Sequence, residues 1–142
     1  MGYLSEHPLD AARVIASVQD PERGGVATFL GVVRSQHAGR AVLRLDYSAY
    51  GEMAEAECAR VVGEAEARWP AKVALQHRLG TLEVGDVAVV VAAAGAHRDE
   101  AFAACRHVIE ELKRRVPIWK REHYADGTVE WVRAGDAGQA AP

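Results

Sequence analysis

From residue 87 to 94 the chain reads Val-Ala-Val-Val-Val-Ala-Ala-Ala, with Gly85-Asp86 before it and Gly95 after it. An unbroken apolar run of this length between turn residues predicts a strand. Elsewhere the apolar positions are periodic. Leu43, Leu45, Tyr47 and Ala49 alternate with Arg44, Asp46, Ser48 and Tyr50, and Val73, Leu75, His77 and Leu79 alternate in the same way. Period two is the mark of half-buried strands. Val26 to Val33 is apolar and β-branched, which predicts a buried strand.

Two longer stretches follow the helical period. Met53, Ala54, Cys58, Val61, Val62, Ala65 and Trp69 form one stripe over 52–69, with Pro70 beyond its end. Ala101, Phe102, Cys105, Val108, Ile109, Leu112 and Val116 form another, with Asp99 as its expected cap and Pro117 as its stop. A shorter helix opens at Pro8 and turns Ala11, Val14, Ile15 and Val18 inward. His37-Ala38-Gly39-Arg40 reads as a turn, Gly80 and Gly85-Asp86 punctuate two strands, and Asp126-Gly127 joins 118–124 to 128–132 as a hairpin. The resulting order is αββαβββαββ. Strands joined by hairpins outnumber regular β-α alternation, so the expected class is α+β, a mainly antiparallel sheet with packed helices. No repeat or linker divides the chain. Residues 1–133 read as one domain, and the small, polar residues 134–142 read as a flexible tail.

Composition narrows the function classes. The 142 residues suffice for one hydrophobic core, and 49% apolar with 26% charged residues is an ordinary globular balance. No apolar run reaches membrane-spanning length, and residues 1–7 lack the basic-then-apolar order of a secretion signal, so a cytoplasmic location is expected. A net charge of −3 with sparse aromatics argues against nucleic acid as a partner. Cys58 and Cys105 sit in helical stripes without a CxxC pair and read as small buried hydrophobes. The histidines show no metal-ligand spacing, and there is no glycine-rich nucleotide loop and no GxSxG, so neither metal nor cofactor is expected.

One segment departs from the acidic whole. In Lys113-Arg114-Arg115-Val116-Pro117-Ile118-Trp119-Lys120-Arg121, five of nine positions are cationic. Lys113 adjoins the buried stripe, and Pro117 halts the helix and turns the chain, so Lys120 need not point away from Lys113. Two neighbouring ammonium groups lower each other's pKa, which suits a base or nucleophile. The same residues also suit a solvated helix end that favours the helix dipole, and the residues alone leave both readings open for Lys113 and Lys120. His97-Arg98 stands before a helix, where backbone N–H groups and a guanidinium can receive a phosphate, or where the arginine merely faces water. Arg34 ends the first long strand and carries the same two readings. His77 shares the apolar phase of its strand and reads as a core histidine.

Taken together, TFLGVVRS (28–35), LDYSAYGEMAE (45–55), HRLGTLEVGD (77–86), AHRDEAFAAC (96–105) and LKRRVPIWKRE (112–122) resemble the molybdopterin synthase catalytic-subunit family. The resemblance runs from about Gly25 to Val132. It implies an α/β-hammerhead-like fold and a sulfurtransferase that converts cyclic pyranopterin monophosphate to molybdopterin. It also implies a homodimer at the core of a heterotetramer, with a small ubiquitin-like carrier whose Gly-Gly thiocarboxylate tail threads into the pocket. Lys113 and Lys120 match the family's catalytic lysines. Val32, Val33, Arg34, His97, Arg98, Arg121 and Glu122 match its substrate-binding positions, and the His-Arg pair can come from the same or the opposite protomer. Ser35, the loop 36–40 and Cys105 depart from the family pattern outside these positions. Two anions meeting in one pocket require several cations, and sulfur delivered by a partner requires no cysteine. Three rival readings stand beside this one. They are a binding module for acidic nucleotides, an interaction protein with a basic docking end, and a diverged member without activity.

Overall fold

The computed structural model describes residues 2–133, so the tail expected over 134–142 lies outside the described residues. Two sheets and three helices make up the described part. The first sheet has the order β1 (Leu4–Ser5), β5 (Ala71–Arg78), β7 (Val87–Gly95), β2 (Gly25–Val32). Its strands are antiparallel except for the β1–β5 pair. The second has the order β3 (Gln36–His37), β4 (Arg40–Ala49), β8 (Ile118–Tyr124), β9 (Val129–Arg133), with β6 (Gly80–Glu83) also pairing β4. The expected α+β class with antiparallel sheets is therefore the observed one. β1 and β3, two residues each, carry too little pattern to be read from sequence.

The apolar run of β7 has a direct cause: it is central and covered on both faces. Val89, Val91 and Ala93 pack under α2 (Gly51–Arg68) and α3 (Arg98–Arg115), while Val90, Ala92 and Ala94 pack against α1 (Ala11–Ala16). Alternation along a strand sends successive residues to opposite layers, so a strand covered twice needs no polar position. A small third cluster of Val33, Leu45, Leu82 and Ala88 joins the two sheets.

Four expectations are corrected. The strand expected to be buried over 26–33 is an edge strand: β2 pairs only with β7, and Val26, Phe29, Leu30 and Val32 are exposed. A β-bulge between Val42 and Arg44 resets the phase of β4, so Val42 and Leu45 are buried while Leu43 is 51% exposed. Met53 and Phe102 leave their helical stripes for the surface. The cap of α3 is His97 rather than Asp99, with the Glu100 carboxylate accepting the His97 backbone N–H at 2.7 Å.

Candidate active site

Three elements deliver cations to one cleft. The first is the end of β2. Gly31 lies so close to Val89 that a Cβ would sit 2.6 Å from its Cγ1, and the pairing with β7 shifts register between Gly31 and Val32. The chain leaves the sheet there, anchored by Val33 N–H to Asp86 O at 2.9 Å and Gly85 N–H to Val33 O at 2.9 Å. Arg34 follows at the cleft wall.

The second and third are the end of α3 and the start of β8. Leu112 is buried, and Lys113 beside it reaches the cleft. Val116 adopts an extended conformation as the C-cap, consistent with the residue before a proline, and Pro117 reverses the chain. β8 then pairs with β4 so that Lys120 stands opposite Tyr47. The cleft has a volume of about 250 Å³, and Arg34, Lys113, Lys120, Tyr47 and His77 line it together with Val32 and Val33.

The charges are arranged unequally. The Lys113 ammonium is held below the ordinary lysine range, by burial first and then by the Lys120 and Arg34 charges. Lys113 keeps enough exposure for solvent to temper that effect. No carboxylate pairs with it among the described residues. Lys120 differs: its Nζ lies 2.9 Å from Glu122 Oε1. Glu122 is 2% exposed. Burial pushes its pKa up, but hydrogen bonds from Tyr124, His37 and Lys120 outweigh that and hold the carboxyl below its usual range. The partly buried Tyr47 phenol is pushed up to about 12 by desolvation and by Glu122, so it stays neutral.

His77 also lines the cleft, which its apolar phase alone did not suggest. Its Nδ1 donates to Arg78 O at 2.7 Å, its ring meets Tyr47 edge-on at 4.8 Å, and burial lowers its pKa to about 4. The ring is therefore neutral near pH 7, with the second nitrogen left as an acceptor. The signal for it was its place in the HRLG segment rather than its periodicity.

Other residues singled out by sequence lie elsewhere. Arg121 follows Lys120 in a strand and so faces the opposite side. Its guanidinium holds Asp46 Oδ2 at 2.9 Å and 3.1 Å and lies over the Trp131 ring. His97 and Arg98 are exposed at the start of α3, about 22 Å of helix from Lys113 at 1.5 Å per residue. Within one chain they do not meet the cleft. Cys58 and Cys105 are buried free thiols; burial raises both pKa values, that of Cys58 to about 12. Neither is a thiolate nucleophile.

An α+β scaffold with a cationic cleft and buried cysteines defines a protein built to receive an anion without a thiol of its own. The chain belongs to the MoaE protein family, whose pattern matches residues 4–115. A molybdopterin synthase catalytic subunit from Halalkalibacterium halodurans is 45% identical over 130 residues, covering 91% of this chain and 83% of that one. Catalytic subunit 1 of the same enzyme from Mycobacterium tuberculosis is 45% identical over 130 residues, covering 91% and 88%. The crystal structure of molybdopterin synthase from Staphylococcus aureus superposes with a TM-score of 0.87 at 32% identity, covering 92% of this chain and 96% of that one.

Proposed function

We propose that this chain is the catalytic subunit of a molybdopterin synthase. It converts cyclic pyranopterin monophosphate to molybdopterin, with sulfur supplied by the thiocarboxylated C-terminus of a small ubiquitin-like carrier. The observation that carries this reading is the convergence of Arg34, Lys113 and Lys120, from three separate elements, on one cleft. Two anionic reactants meeting there are brought together by charges already in place.

In this reading Arg34 binds the phosphate. Lys113, with its lowered pKa, orients the thiocarboxylate and assists proton transfer. Lys120 stabilises negative charge as the cyclic phosphate opens and sulfur adds, and Glu122 orients Lys120. Arg121 fastens β8 to β4 from the outer face. The buried thiols fit a sulfurtransferase that receives its sulfur on a partner.

His97 and Arg98 enter through a second copy. Arg98 backs onto Gly25 at the start of β2, and Arg34 lies just past its end. Antiparallel pairing of β2 with its copy about a twofold axis brings Arg98 of the second copy toward Arg34. The apolar residues that such pairing would cover are present: Val26, Phe29, Leu30 and Val32 on β2, and Phe102 beside a groove of about 480 Å³. A homodimer carrying one carrier at each end follows from this reading. A cytoplasmic location goes with it; among the described residues no helix is long and apolar enough to cross a membrane.

The test is reconstitution. The purified protein, a thiocarboxylated carrier and the pterin precursor should yield dithiolene product. No product from folded components would refute the assignment.

A further inference from the structure

We propose that His37 is a positioning residue for sulfur transfer, acting on Lys120 through Glu122. This rests on the reading that Lys120 works in the cleft. Glu122 is nearly inaccessible, and a buried carboxylate persists in ionised form only when donors surround it. It has three. Lys120 Nζ approaches Oε1 at 2.9 Å, His37 Nδ1 approaches Oε2 at 2.6 Å, and the Tyr124 hydroxyl donates to Oε2. Because the carboxylate only accepts, Nδ1 of His37 carries the proton in this contact.

The three donors differ in origin. Lys120 and Tyr124 flank Glu122 at two residues before and after on the same face of β8, so strand alternation alone supplies them. His37 comes from a different element. It ends β3 and is 9% exposed. The β3–β4 hairpin closes through Ala38 and Gly39, both at positive φ (52° and 78°), the geometry of a type I′ turn. Ala38 pays a steric cost in that region that a glycine would avoid, so the surrounding contacts hold the turn and His37 with it.

A carboxylate held only along its own strand can still rotate. His37 binds it from across the sheet and fixes its plane, and the orientation of Oε1 decides where the Lys120 ammonium points. A chamber of about 20 Å³, room for one water, lies between Arg34, His37, Lys120 and Glu122. Loss of the imidazole enlarges this space and leaves Oε2 with the Tyr124 hydroxyl alone, so the carboxylate can turn and the Lys120 ammonium is drawn inward or hydrated there. Arg34 and Lys113 remain in place, so binding survives while the chemical step slows.

The test is steady-state dithiolene formation with the thiocarboxylated carrier and cyclic pyranopterin monophosphate. It compares the wild type with Lys120→Ala, His37→Leu, His37→Asn and Tyr124→Phe. His37→Leu should lower kcat about tenfold with KM within about twofold. His37→Asn places an amide N–H where Nδ1 was and should recover most of that loss, which a merely structural role would not predict. Tyr124→Phe removes the other donor to Oε2 and should lower kcat in the same manner; it decides the matter if His37→Leu does not fold. Wild-type kcat in His37→Leu, or in Tyr124→Phe where His37→Leu is unfolded, overturns the proposal. So does a defect confined to KM, or one that Asn fails to relieve. A fully active Lys120→Ala overturns the reading of the cleft and this proposal with it. An inactive Lys120→Ala beside a fully active His37→Leu overturns this proposal alone.

Discussion

Lys113 and Arg115 are two residues apart on the last turn of α3, yet their surroundings are opposite. Arg115 turns toward α2 and is met by three carboxylates: Glu57 at 2.6 Å, Glu64 at 2.7 Å and Glu111 at 3.2 Å. Lys113 turns toward the cleft and meets two further cations, Lys120 and Arg34, with no carboxylate partner among the described residues. Their pKa values move in opposite directions, Arg115 up through hydrogen bonds to Glu64 and Glu57, Lys113 down through burial and like charge. Compensated charge fastens α3 to α2. Uncompensated charge is what an anionic reactant can use. Within the same basic run, Lys113 enters the cleft without a carboxylate partner among the described residues, while Lys120 beside it keeps Glu122.

The sharpest way to break this contrast is Lys113→Ala. Product formation in the reconstituted assay should fall by about 10²–10³-fold while far-UV CD and Tm stay near wild type. Retained activity would place Lys113 with the merely solvated cations. Arg34→Ala comes next. It should raise KM for the pterin by roughly tenfold or more and lower kcat less, since it removes a charge-assisted contact to the phosphate. An unchanged KM would take Arg34 out of the binding site.

Arg115→Met addresses the other face. It leaves three acidic side chains near one another without their shared cation, so Tm should drop by roughly 5 °C with kcat unchanged. A loss of kcat at full stability would contradict the division of roles. The smallest effect is the most diagnostic of withheld charge. Because the folded-state pKa of Lys113 lies below its unfolded value near 10.5, the folded protein bears a cost wherever the group is protonated in both states. That cost is relieved as pH rises from the folded pKa toward 10.5, where the unfolded chain binds more protons than the folded one. Lys113→Met should therefore raise Tm by roughly 1–2 °C at pH 7, and the gain should shrink as pH rises toward 10.5. A drop in Tm at pH 7 would mean that the lysine charge is stabilised rather than strained.

Much of this was legible in the residues because local rules decided it. The alternation of β5, the helical stripes, and Pro117 as the stop of α3 all follow from backbone geometry and periodic burial. The opposite facing of Lys120 and Arg121 was legible too, since successive strand residues diverge. Other features had no local signal. The bulge at Val42–Arg44 exchanges Leu43 for Val42 because strand pairing across β4 and β8 demands it. β2 reads like a central strand by composition, and only the strand order leaves it at the edge. His37 looked like part of a turn, and its contact lies 85 residues away.

The order of residues alone sets the three helices, the seven longer strands, the α+β class, the reversal at Pro117 and the concentration of cations beside it. These rest on interactions between residues close along the chain. Only the assembled fold settles which cations converge and which are neutralised, and that a histidine from a distant hairpin meets Glu122. The physical reason is that charge acts through space. Whether a lysine is strained or satisfied depends on the few ångströms around its ammonium, and packing of distant segments sets those distances.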